Sequence, residues 1–125
     1  MEDSMRIWTE EERIKLRKKE LKKLKVFFKD LPRDKANVVD GLIEHAAFQR
    51  VMLDELSQVI AKYGYIGEYQ NGENQKGLKK SAAVETYDKT LNTYSKIVKQ
   101  LADIIDKTND SNIPGAEIMN FLSMK

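Results

Sequence analysis

Val84, Tyr87, Leu91, Tyr94, Val98, Leu101 and Ile105 follow one another at alternating spacings of three and four residues without a break. Only a long α-helix with one buried stripe gathers such residues on a single side, so this run fixes a helix from a Ser81 cap to about Asp106. A second line of the same kind, Leu42, Ala46, Gln49, Leu53, Leu56, Ile60 and Tyr63, predicts a helix that begins near Pro32 to Lys35. It ends at Tyr63-Gly64, where glycine suits a left-handed C-terminal cap. Val39, Ile43, Ala47 and Val51 widen its buried face in the N-terminal half. Two helices of similar length with matching seams predict an antiparallel helical hairpin.

A further helix precedes the hairpin. Thr9 and Glu12 have the spacing of a capping box, with Glu10 to Glu12 at the positive end of the helix dipole. The helix is predicted to run to about Asp30, because the residue before Pro32 avoids helical dihedrals. Its apolar stripe is Ile14, Leu21, Leu24, Phe28 and Leu31. The expectation is therefore an all-α protein: a basic helix (residues 1–35), a hairpin core (36–106) with a polar loop at 64–80, and a linker and tail (107–125). Asn71-Gly72 is a tight-turn dipeptide, and a small ribbon is expected over Tyr69 to Asn74. In the tail, Ile118, Phe121 and Leu122 fall on one face of a short helical segment that docks on a partner or folds back on the hairpin.

With 41% apolar and 34% charged residues among 125, the chain suits an elongated helical shape better than a sphere. It has no cysteine, which removes disulfides and thiolate metal sites and fits a reducing, cytoplasmic setting. No apolar run approaches the length of a membrane span, and no signal-peptide core is present at the N-terminus.

No enzyme signature is present: no phosphate-binding glycine loop, no nucleophile elbow and no paired-histidine metal motif. The single histidine, His45, reads as a surface or packing residue. The expectation is a binding protein with no catalytic residue, metal or cofactor.

Charge is uneven. Residues 1–35 hold 12 Lys/Arg against 8 Asp/Glu, whereas residues 36–125 hold 10 against 12. Lys15, Lys18, Lys19, Lys22 and Lys23, with Lys29, fall away from the apolar stripe of the first helix. Cations in such a row displace counterions from DNA phosphates and bind without reading sequence; the alternatives are a solvated face or, less fittingly, a membrane-surface helix. Lys79 and Lys80, with Lys76, make a second basic patch that serves either an anion or solubility. Val59, Ile97 and Ile104 lie beside the seams, where they either close a three-helix monomer or pack between subunits.

Several stretches resemble the small subunit of tailed-phage DNA-packaging terminases, in the branch found in temperate phages of low-GC Gram-positive bacteria. They are EYQNGENQ (Glu68 to Gln75), Lys79-Lys80-Ser81, GLIEHAAFQRVMLDEL (Gly41 to Leu56), FFKDLPRDK (Phe27 to Lys35) and YSKIVKQLADII (Tyr94 to Ile105). The likeness covers roughly residues 20–106. It implies a non-catalytic homo-oligomer, a ring, that binds double-stranded viral DNA. It also implies delivery of that DNA to, and regulation of, a large terminase subunit. On that reading the DNA contacts are Lys15, Lys18, Lys19, Lys22, Lys23, Lys79 and Lys80. Subunit contacts are Val59, Ile97 and Ile104, and Ile118, Phe121 and Leu122 meet a partner. The first 20 residues do not read as a helix-turn-helix, and the tail is apolar where family tails are often acidic. The alternative is a helical oligomeric scaffold with no nucleic-acid role; a transcription regulator ranks third.

Overall fold

A computed structural model describes residues 6–70 and 76–108. The order is α1 (Glu10–Phe27), α2 (Arg33–Tyr63), β1 (Ile66–Gln70), β2 (Lys76–Lys80) and α3 (Ala82–Thr108). Helices predominate, as the seams require, and the long hairpin of α2 and α3 is present. The tail expected beyond residue 108, with Ile118, Phe121 and Leu122, lies outside the described residues.

At 31 residues, α2 is about 46 Å long and packs against both other helices. Leu24 and Phe28 of the α1 end meet Val39, Ile43, Ala46, Ala47 and Leu53 of α2 and Tyr94, Val98, Leu101 and Ile105 of α3. A second cluster sits nearer the ribbon: Leu56, Val59 and Ala83, with Ile7, Met52, Ile60 and Tyr87 against it. The chain therefore runs up, down and up, with the N-terminus of α1 and the ribbon at the same end.

Three local expectations change. The buried line of α3 holds at Tyr94, Val98, Leu101 and Ile105, but toward its N-terminus it passes through Thr90 and Ala83 rather than Leu91 and Val84. A straight helix repeats every 3.6 residues, so a line counted back from Tyr94 reaches positions 90, 87 and 83. Leu91 is left 42% exposed. The first helix stops at Phe27, where the Phe28 N–H turns back to the Lys25 carbonyl oxygen at 3.2 Å, short of Asp30. The ribbon is also longer than expected, pairing Ile66 with Lys80 through to Gln70 with Lys76.

That longer ribbon moves Lys79 and Lys80 from the start of the third helix into β2. Gly64 ends α2 with φ +94° and ψ 174°, a positive φ as expected but an extended ψ that sends the chain directly into β1. The ribbon closes where the Ser81 N–H donates to the Tyr65 carbonyl oxygen at 2.7 Å. Gly67 lies so close there that a Cβ on it would come within 3.3 Å of Ser81 Cα. Ser81 caps α3, its Oγ accepting from the Val84 N–H at 3.2 Å.

Candidate functional site

The first helix is polar for one that packs on a core: only Leu24 is buried among its 18 residues, and it carries eight basic residues against four acidic ones. Its capping box forms as the sequence implies, with the Glu12 N–H donating to Thr9 Oγ1 and the Thr9 N–H to Glu12 Oε1. The arc turned from α2 carries exposed Lys15, Lys18, Lys22 and Lys25, and Lys29 follows in the turn. Lys15, Lys18, Lys22 and Lys25 repeat at spacings of three and four, a straight basic row about 15 Å long. None of these pairs with an acidic side chain among the described residues.

Lys23 departs from that row. Its Nζ lies 3.4 Å from Glu20 Oε2, and with Lys19, Trp8 and Asp54 it lines a groove on the α2 side. Lys79 and Lys80 are exposed on the ribbon, and Lys80 Nζ is 3.3 Å from Asp88 Oδ2 of α3. The outward row and the ribbon lysines are thus separate groups.

What holds so polar a helix in place is a carboxylate that the sequence reading passed over. Glu55 is 6% exposed, inside an apolar stretch of α2. Its Oε2 accepts from the backbone N–H groups of Ile7 and Trp8, each at 2.9 Å. Arg13 completes the set, Nε to Oε1 at 2.7 Å and Nη2 to Oε2 at 2.8 Å. Burial alone would raise the Glu55 carboxyl, but the bonds from Arg13, Trp8 and Ile7 and the guanidinium charge outweigh it and hold it below the usual carboxylate range. The Arg13 guanidinium is raised in turn, first by its hydrogen bond to Glu55.

Beside the clamp, Glu10 bridges Arg13 and Arg17, and Arg17 lies over the Phe48 ring at 4.6 Å. A cleft of about 300 Å³ opens here, but its carboxylates and guanidinia already answer one another.

A second polar group unites all three helices. Arg50, 9% exposed, pairs with Asp54 at 3.6 Å and reaches Tyr94, with Glu20 nearby. Burial raises the Tyr94 phenol, partly offset by the Arg50 charge and hydrogen bond.

The residues expected between subunits lie inward. Val59 is 1% exposed within the cluster near the ribbon, and Ile97 and Ile104 pack against the main core. Of the two readings left open for them, these positions match the closing of a three-helix chain. No group of three or more His, Cys, Asp or Glu side chains able to hold a metal exists among the described residues, and His45 is exposed. No described helix is long and apolar enough to cross a membrane.

Sequence spacing found the outward lysines because charge periodicity is visible without coordinates. It missed Glu55, Arg13 and Arg50, which read as ordinary members of charged helices. A signal was present in Glu55, a carboxylate between Leu53 and Leu56 where both seams converge. Compared with models of protein families, with curated proteins and with solved structures, the chain matches none.

Proposed function

We propose that this chain is a non-catalytic DNA-binding subunit of the terminase small-subunit type. It holds the duplex backbone along the outer face of α1, works as a homo-oligomer, and presents viral DNA to a large packaging subunit. The observation that carries the reading is the unpaired outward row Lys15, Lys18, Lys22 and Lys25 on a helix fixed at both ends. Duplex DNA presents a phosphate charge about every 1.7 Å of axis, so a rigid row of lysine ammonium groups meets several at once. Lysine gives position rather than base discrimination, which fits a protein that tracks DNA more than it reads it. The family part of the proposal rests on the resemblance of residues 20–106.

The test is the salt dependence of duplex DNA binding, followed by fluorescence anisotropy. A Lys15→Gln, Lys18→Gln, Lys22→Gln variant loses affinity on all sequences alike, and its log–log salt slope falls by about 2–3. Lys23→Gln, whose charge is already engaged by Glu20, changes the slope much less. A triple variant with wild-type affinity and slope removes the DNA reading.

A further inference from the structure

The cleft beside the Glu55 clamp is lined by three guanidinia, Arg6, Arg13 and Arg17, and by the apolar Phe48, Val51 and Leu56 of α2. Its two carboxylates answer those cations unequally. Glu55 is buried and takes Nε and Nη2 of Arg13 at 2.7 and 2.8 Å. Glu10 has a side chain 62% exposed, and it lies 3.4 Å from Arg13 Nη1 and 3.3 Å from Arg17 Nη1. Charge-assisted bonds from arginine to a carboxylate usually run to about 2.7–2.9 Å, so both contacts are slack. An exposed pair of this kind is held weakly and is easily exchanged. Arg17 has a further donor: its Nε is buried with no hydrogen-bond partner among the described residues. A buried N–H on a cation calls for an acceptor.

We infer that the Glu10 carboxylate holds the place of a phosphate group, and that the cleft binds one when Glu10 swings out. Nη1 groups of two different arginines converge on one anion position, as they do where guanidinia grip a phosphate. The carboxylate offers two oxygens and gives one to each arginine, Oε2 to Arg13 and Oε1 to Arg17. A phosphate offers three, which leaves one for Arg17 Nε.

Charge favours the exchange. With Glu10 displaced, the three lining guanidinia face Glu55 alone instead of two carboxylates. The apolar wall of α2 keeps the local dielectric low, which strengthens the attraction for an anion. Arg17 also lines the neighbouring depression together with Lys18, so the cleft adjoins the outward lysine row. The phosphate is therefore either one of a DNA strand lying on that row or a free one. The inference rests on the arginines and Glu10, and it does not depend on DNA contact by the row.

Thermal unfolding is followed in sodium phosphate and in sodium chloride of equal ionic strength. Phosphate at about 50 mM raises the wild-type midpoint by about 2 °C or more above chloride. Arg17→Gln loses that difference, and Arg17→Lys, which keeps the charge without the planar fork, loses most of it. Glu10→Gln binds phosphate roughly threefold tighter or more, because a loosely held competitor is gone. Glu11→Gln is the control. It removes the same charge from the same turn, at an exposed site about 100° round the helix, and gains clearly less. That comparison leaves Arg17 in place, so it stands even where the arginine variants fold poorly. Duplex DNA distinguishes the two sources. With a strand phosphate in the cleft, Glu10→Gln steepens the log–log salt slope of DNA binding by about 1. With a free phosphate only, that slope keeps its wild-type value while the thermal difference persists. No rise over chloride, an equal rise in a folded Arg17→Gln, or equal gains from Glu10→Gln and Glu11→Gln overturns the proposal. The two readings fail separately: DNA binding through the lysine row with no phosphate rise sinks the cleft alone. A phosphate rise with DNA binding indifferent to Lys15, Lys18 and Lys22 sinks the row alone.

Discussion

Removing the charge of Glu55 leaves the Arg13 guanidinium and two backbone amides facing an acceptor that no longer balances them, at a position only 6% exposed. Breaking one partner of a buried pair costs roughly 3–5 kcal/mol. Glu55→Gln is therefore expected to lower the urea midpoint strongly, with the loss centred on α1. The pH dependence has a definite sign. The carboxyl titrates lower in the folded chain than in the unfolded one, so its contribution is complete above the unfolded value, near 4.5, and disappears as pH falls through the depressed folded value. Wild-type stability measured by urea unfolding should fall below about pH 4.5, and Glu55→Gln should lack that part of the acid dependence. A Gln variant that follows the wild-type acid profile would remove the clamp from the account of stability.

At the scale of elements, the three helices are held by different means. The third is fixed by its apolar line, and Leu101, with no exposed surface, sits at the centre of it. Leu101→Ala should cost about 2–5 kcal/mol in chemical unfolding, whereas Ile14→Ala, at a residue 42% exposed, should cost well under half as much. Equal losses at the two sites would mean that α1 buries its stripe more deeply than described. The seams of α2 and α3 and the Thr9 cap were legible in the sequence because each is a local, periodic or short-range pattern. The shift from Leu91 to Thr90 was not, since three-and-four counting tolerates a drift that a straight helix corrects. The full ribbon was hidden too: Asn71-Gly72 marks a turn, but neither strand beside it, IGEYQ or the lysine-rich KGLKK, carries a clear apolar–polar alternation.

For the whole molecule, α2 is a shared wall. Its buried residues favour one side in the N-terminal half, through Val39, Ile43, Ala46 and Arg50, and swing round through Val51, Glu55 and Val59 beyond it. That swing lets α2 meet both neighbours. Much of this plan follows from spacing, and the outward lysines with it. The Glu55 and Arg50 contacts do not, because they join positions 42 or more residues apart or depend on three helices meeting at once. The clamp also reverses what position in the chain implies about protection from solvent. Amides that precede a first helix usually exchange with deuterium almost as fast as in an unstructured peptide. The Ile7 and Trp8 amides instead donate to a buried carboxylate on the longest helix, so they open only when α1 leaves α2. Their exchange rates should match those of the Leu24 region and rise together with them in Glu55→Gln, which makes two peptide protons a direct clock for the docking of the basic helix.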